Sequence, residues 1–301
     1  MKRFILLIAS IFLSIHIWGQ YYSIGDEPFQ TKWKQISNAR YKIIFPQDAE
    51  LAALKFANLL CVVDSNSTGD YLFKNRKINV VIHNHSVLSN GFVAIAPKRM
   101  EIITHSPASI NSQPWLKQLA IHETRHYAQI SNLYSGLFKP LYCMFGEQAI
   151  GLAAGLIPMW YLEGDAVAYE TATSNSGRGR QADFYNYYRA HYLTEDKPFK
   201  YDKWLLGSYK DNIPDHYSLG YQLVVYGKLK YGNNIWSQTL KYSTQYPFSL
   251  FPFYLGLKSK TGLSRKALHK ETFNYLDSLW SINQNKNKTI GIKNYKNPIN
   301  E

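Results

Sequence analysis

Two histidines four residues apart, His122 and His126, lie inside a run whose apolar residues recur at helical spacing. On a helix, positions i and i+4 share one face about one turn apart, so both imidazoles can reach a single metal ion. Glu123 follows the first histidine directly, where it can contact a water on that metal and act as a general base. Trp115, Leu119, His122 and His126 recur at spacings of four, three and four, and Leu116, Ile121 and Ala128 flank them. That pattern predicts a helix over residues 115–130 with its histidines directed inwards. Asn111 or Ser112 is expected to cap it, with Pro114 in the first turn.

A catalytic zinc site takes three protein ligands and keeps a position open for water. The best third candidate is Glu163. It sits in a second apolar segment, 158–170, which Pro158 is expected to open as a helix. A carboxylate among Trp160, Leu162, Val167 and Ala168 needs a partner, and a metal suffices. Gly164 and Ala166 leave room beside it for a neighbouring helix. Glu147, Asp165 and Glu170 are the rival acids. Arg125, on the zinc helix but off the histidine face, is expected to pair with Asp165 or Glu170 and so to lock the two ligand helices together.

The order of these elements carries a resemblance. HExxH followed by a glutamate on a second helix resembles the gluzincins. The W-x-x-E-G-x-A pattern of Trp160, Glu163, Gly164 and Ala166 resembles the second-helix motif of the peptidase MA-like group. Tyr217-Ser218-Leu219-Gly220 is similar to the Y-x-K-G helix of the aminopeptidase N relatives, with Leu219 in place of the lysine. Several further stretches resemble a bacterial envelope group, the TolB-like proteins, which carry a peptidase MA-like domain ahead of a β-propeller. They are residues 42–46, the HETRHYAQ and EGDAVAYET runs, 176–180 and 207–211. The resemblance covers about residues 21–280, and a propeller is not expected in a chain that stops at Glu301.

The resemblance implies an α+β, gluzincin-like fold with a mixed-sheet lobe and zinc helix first and a mainly helical lobe after it. It implies one Zn2+ per chain and hydrolysis of peptide bonds in a peptide or protein substrate. Tyr217 would stabilise the oxyanion, with Tyr221 as the fallback, and Glu101 would bind the substrate's free amine. An extended substrate is expected to add to an edge strand within residues 91–103. The competing class is a non-catalytic envelope scaffold or binding module that retains a peptidase-like fold. An intact Glu123 argues against it, because a scaffold needs no base beside the first ligand.

Residues 1–19 read as a secretion signal, with Lys2 and Arg3 ahead of an apolar core and Gly19 at the cut. The protein is therefore expected in the periplasm or cell envelope, with no membrane span in the mature chain and an envelope protein as a possible partner. Without Lys2 and Arg3 the formal charge falls from +13 to +11. In an exported protein this excess argues against nucleic acid and for an anionic envelope surface or acidic substrate. Cys61 and Cys143 sit in apolar sequence and can be a disulfide or two buried thiols.

Strands are predicted at 40–45, 78–82, 91–96 and 100–104, with a helix at 49–63. These join the zinc helix in an upper lobe, 20–155, in which 149–159 reads as a buried helix or a loop-helix insertion. A helical lower lobe is predicted over 156–280, with loops at 175–180 and 196–202, and a polar tail over 281–301. Tyr185, Tyr187, Tyr188, Tyr192 and Tyr201 can line a groove or pack between helices.

Overall fold

The structure is a computed structural model that describes residues 27–66, 71, 77–108, 113–195 and 197–286. The signal segment, Asn111, Ser112 and residues 287–301 lie outside the described residues. The fold is α+β: one five-stranded mixed sheet and, among the described residues, eleven α-helices.

The sheet is built from β1 (Trp33–Ser37), β2 (Tyr41–Pro46), β3 (Ile78–His83), β4 (Gly91–Ile95) and β5 (Lys98–Ile103) in the order β1-β2-β3-β5-β4. β2, β3 and β5 run parallel, and β1 and β4 close the two edges antiparallel. Register places Ile36, Ile43, Val80, Met100 and Val93 in one row across all five strands. That apolar row meets helix α1 (Glu50–Asn66) and helix α2 (Trp115–Asn132), whose Phe56, Leu60, Leu119 and Tyr127 complete the first core. β1 carries no clear apolar alternation, and its exposed residues gave no strand signal. It forms because β2 offers a free edge.

α2 is the expected histidine helix. Pro114 stands at its N-cap, one residue before the first turn, and no side chain caps it. The indole N–H of Trp115 donates to the carbonyl of Ile103, 2.9 Å away, which ties the helix start to the end of β5. A Cβ on Gly91 would lie 2.7 Å from a terminal methyl of Leu119, so the Leu119 side chain of α2 packs directly on β4.

Helices α3 (Phe138–Phe145) and α4 (Glu147–Gly155) follow, and Phe138, Ile150 and Ala153 enter a second, helical core. α4 is not a buried helix over 149–159. It ends at Gly155 and exposes Leu152, because only one of its faces meets that core. α5 (Met159–Thr173) carries Glu163 and again has its proline, Pro158, at the N-cap. A 3-10 turn covers Arg178–Arg180. Then come α6 (Ala182–Thr194), α7 (Tyr201–Leu206), α8 (His216–Tyr231), α9 (Ile235–Gln245), α10 (Pro252–Thr261) and α11 (Arg265–Lys286).

α11 continues to Lys286, so the polar tail begins later than residue 281. Trp160, Trp204, Trp236, Tyr188 and Phe273 fill the centre of the helical core. Tyr187, Tyr188, Tyr192 and Tyr201 belong to this packing, and Tyr188 and Tyr192 lie against Trp204 and Phe273. Cys61 and Cys143 are free and both exposed, contrary to the reading from their apolar neighbours. Each sits on the outer face of its helix. Among the described residues no helix is long and apolar enough to cross a membrane.

Candidate metal centre and catalytic cleft

α2 and α5 cross where the sequence put its two motifs. His122 Nε2 and His126 Nε2 lie 3.1 Å apart, and each is 3.2 Å from Glu163 Oε2. Among the described residues this is the group of three ligand side chains that converges for a metal. Three ligand atoms on one tetrahedral zinc, at bonds of about 2.0–2.1 Å, stand roughly 3.3 Å from one another, so the donor set fits that ion in type and spacing. The rival acids are engaged elsewhere. Glu147 accepts from the backbone N–H of Lys98, Asp165 from Arg125, and Glu170 from Arg178.

Burial and mutual charge shift the groups of this site. Burial opposes charge on Glu163, yet His126 and His122 hold its carboxyl far below the usual range. Burial also disfavours the charged form of His126, but Glu163 outweighs it and raises that histidine to about 9. Glu123 is buried, and burial raises its carboxyl against the pull of His122 and His126. Its Oε2 has no hydrogen-bond partner. Glu123 thus leaves one buried carboxylate oxygen unsatisfied beside three side chains of metal-ligand type.

The second ring of contacts orients the histidines. His126 Nδ1 lies 2.9 Å from Gln129 Oε1, and the Gln129 amide donates to Asp165 Oδ2 at 2.9 Å and to the Leu162 carbonyl at 3.0 Å. Gln129 therefore accepts the Nδ1 proton and leaves His126 Nε2 facing the centre. Asp165 is fully buried and takes two bonds from Arg125, at 2.7 and 2.9 Å, with Lys228 3.4 Å away. Burial works against its charge, but Arg125 and Lys228 hold the carboxyl well below the usual range. The expected lock between the ligand helices is thus Arg125 with Asp165.

Glu170 does not pair with Arg125. It lies 3.6 Å from His122 Nδ1 and accepts from Arg178 Nη2 at 3.0 Å, because it stands about two turns beyond Glu163 on the same face of α5. Arg178 Nη2 is itself 2.8 Å from His122 Nδ1. Gln129 and Arg178 had no role in the sequence reading. Gln129 had one usable signal, its i+3 spacing from His126, whereas Arg178 stood in a glycine-rich segment with no period to read.

Tyr217 opens α8. Its ring stacks beside that of His122, with centroids 6.2 Å apart and planes at 28°. Burial comes first among the effects that raise its phenol, followed by the Glu163 carboxylate. Tyr221, the fallback, points away: its hydroxyl donates to the Gly179 carbonyl and its ring meets Phe184. Leu219, where the aminopeptidase-like pattern has lysine, is buried in the helical core.

Glu101 is not at the cleft. It is 4% exposed on β5, an interior strand, where His83 Nε2 is 2.6 Å from Oε2 and Arg99 Nε contacts Oε1. Alternation turns its side chain to the sheet face that these partners occupy. Within residues 91–103 it is β4, not β5, that lies at a sheet edge. Asn90, Gly91, Phe92, Val93 and Ile95 form one wall of a cavity of about 530 Å³ whose floor is His122, Glu123, His126, Glu163 and Tyr217. Gly151, Ala154, Met159 and Leu162 form the opposite, largely apolar wall. In comparisons with known proteins, no family model matches the chain and no curated protein matches it.

Proposed function

We propose that the protein is an exported zinc metallopeptidase of gluzincin-like organisation, acting in the periplasm or cell envelope on a peptide or protein substrate. The observation that carries this reading is Glu123: a buried carboxylate oxygen with no partner, next to a His-His-Glu donor set and open to a cavity edged by a β-strand.

Zinc held by His122, His126 and Glu163 would acidify a water and polarise the scissile carbonyl. Glu123 takes the proton from that water and delivers it to the leaving amine, a role that suits a carboxyl whose affinity for protons is raised by burial. The Tyr217 hydroxyl donates to the oxygen on which negative charge develops. Gln129 accepts the Nδ1 proton of His126, so that its Nε2 stays free of protons, while His122 Nδ1 has the Arg178 guanidinium 2.8 Å away and Glu170 at 3.6 Å. β4 offers main-chain pairing to an extended peptide. The apolar wall of Met159 and Leu162 selects an apolar side chain next to the cleaved bond.

The test is metal analysis of the purified protein together with digestion of a peptide library. One zinc per chain is expected. His122→Ala and His126→Ala lose it, and Glu123→Gln keeps it but loses cleavage. A Glu123→Gln protein that cleaves as wild type does would end this mechanism. Zinc without turnover in the wild type would favour the scaffold.

A further inference from the structure

Far from the cleft in sequence, residues 216–270 contain no Asp or Glu and eight Lys or Arg. Inside this acid-free stretch, α9 and α10 are joined by Tyr246-Pro247-Phe248-Ser249-Leu250-Phe251. Connectors between helices are ordinarily polar, yet here Phe248 is 87% exposed, Leu250 79%, Phe251 57% and Tyr246 55%. Four large exposed side chains in six residues concentrate apolar surface on one connector, with Leu250 and Phe251 lining one hollow, and such a concentration marks a binding surface more often than single scattered residues do.

The connector is built rather than loose. Pro247 and Pro252 are buried, the Ser249 backbone and hydroxyl both donate to the Tyr246 carbonyl at 3.1 and 2.7 Å, and Phe251 accepts from the backbone of Tyr254 and Leu255. Phe251 has φ 57°, the one positive φ outside glycine among the described residues. A bulky residue is disfavoured there, and such strain persists where the surroundings fix the conformation. What that conformation achieves is to keep Phe248, Leu250 and Phe251 outwards while Phe253 enters the core.

Cations border the patch. The guanidinium of Arg265 lies 5.7 Å from the Phe251 ring centre and 4.9 Å from that of Tyr254. Lys258 shares a shallow hollow with Leu250, Phe251 and Leu255, and Lys260 is exposed two residues on. The acid brought near by neighbouring α7, Asp202, is already paired with Lys266.

We propose that residues 246–251 seat the protein on an anionic lipid surface. The aromatic and aliphatic side chains enter the interfacial layer, and Lys258, Lys260 and Arg265 meet the headgroups. The amphipathic ring of Tyr246 suits that depth, the apolar side chains add burial, and a cationic border whose nearby acid is already paired adds attraction to anionic lipid. The inference does not depend on the peptidase reading.

The experiment uses the full chain carrying Tyr246→Trp, its emission read as the difference from wild type with its seven tryptophans, sedimented with vesicles of phosphatidylcholine alone or with one third phosphatidylglycerol. Binding to the anionic vesicles, a blue shift of the reporter and weakening in high salt are expected. Phe248→Ser/Leu250→Ser and Lys258→Glu/Lys260→Glu, each with its thermal melt checked, should reduce partitioning at least about tenfold. Equal binding to neutral vesicles, an unshifted reporter on bound protein, or undiminished binding of either double variant would overturn the proposal. So would light scattering that finds a dimer in wild type, a monomer in Phe248→Ser/Leu250→Ser, and no vesicle binding by either, since the patch would then be a self-association surface.

Discussion

A Cβ on Gly220 would lie 1.7 Å from the carbonyl oxygen of Trp160, and one on Gly164 would lie 2.1 Å from the Gly220 carbonyl carbon. α5 and α8 therefore touch backbone to backbone, and this contact sets the distance between Glu163 and Tyr217. Gly220→Ala has backbone on the facing side, which cannot rotate away. A loss of at least about 3 kcal/mol is expected, read as a fall in urea midpoint. Alanine at exposed Gly155, where nothing lies within 4 Å, is the control and should change little.

Arg125 and Asp165 hold α2 to α5 in the core. Removing one member of a buried ion pair strands the other, so Arg125→Met should cost about 3–5 kcal/mol in chemical denaturation. Arg125→Met/Asp165→Leu should cost less than Arg125→Met alone. A double variant that is no more stable than the single one would show that the charge left behind is not the source of the loss.

Tyr217→Phe removes one hydroxyl from the cleft. If it stabilises the oxyanion, kcat on a cleaved peptide should fall by roughly 10²–10³ with zinc content unchanged. Tyr221→Phe, whose hydroxyl meets the Gly179 carbonyl instead, should leave kcat within a few-fold of wild type. Equal effects of the two changes would remove Tyr217 from the reaction.

His269 provides a test of stability against pH. Burial beside Phe273 and Tyr201 leaves its Nε2 without a partner and lowers it to about 4. Its folded-state value lies below the unfolded one, so the unfolded chain binds the extra proton as pH falls. Stability is therefore full above about pH 6.5 and lost down to about pH 4, roughly 3 kcal/mol over that window. His269→Phe should flatten this part of the curve in denaturant titrations at successive pH values. His191, which is also lowered, is present in both proteins and cancels in the difference. An unchanged slope would mean that His269 is protonated in the fold.

Much of the site was legible because helical periodicity is local. The spacing of His122 and His126 fixes their common face whatever surrounds the helix, with Glu123 beside it, and an acid inside an apolar run, Glu163, announces that it needs a partner. β2, β3, β4 and β5 were legible for the same reason, through β-branched and apolar runs bounded by proline and polar residues. β1 was not, since its pattern is polar and its existence depends on a neighbour's free edge. The cysteines were misread because apolar sequence neighbours of a helical residue lie on its other faces.

The sequence by itself determined that the two histidines share a face with the glutamate base next to it, and which helix carries Glu163. Only the tertiary structure decided which residues meet across elements. It paired Arg125 with Asp165 and sent Glu170 to His122 and Arg178. It made Gln129 the partner of His126, turned Tyr217 rather than Tyr221 to the cleft, and withdrew Glu101 to His83 and Arg99. The physical reason is that a dihedral period sets directions along one element. Distances between elements follow from how closely their backbones can pack, and here Gly164 and Gly220 set that limit.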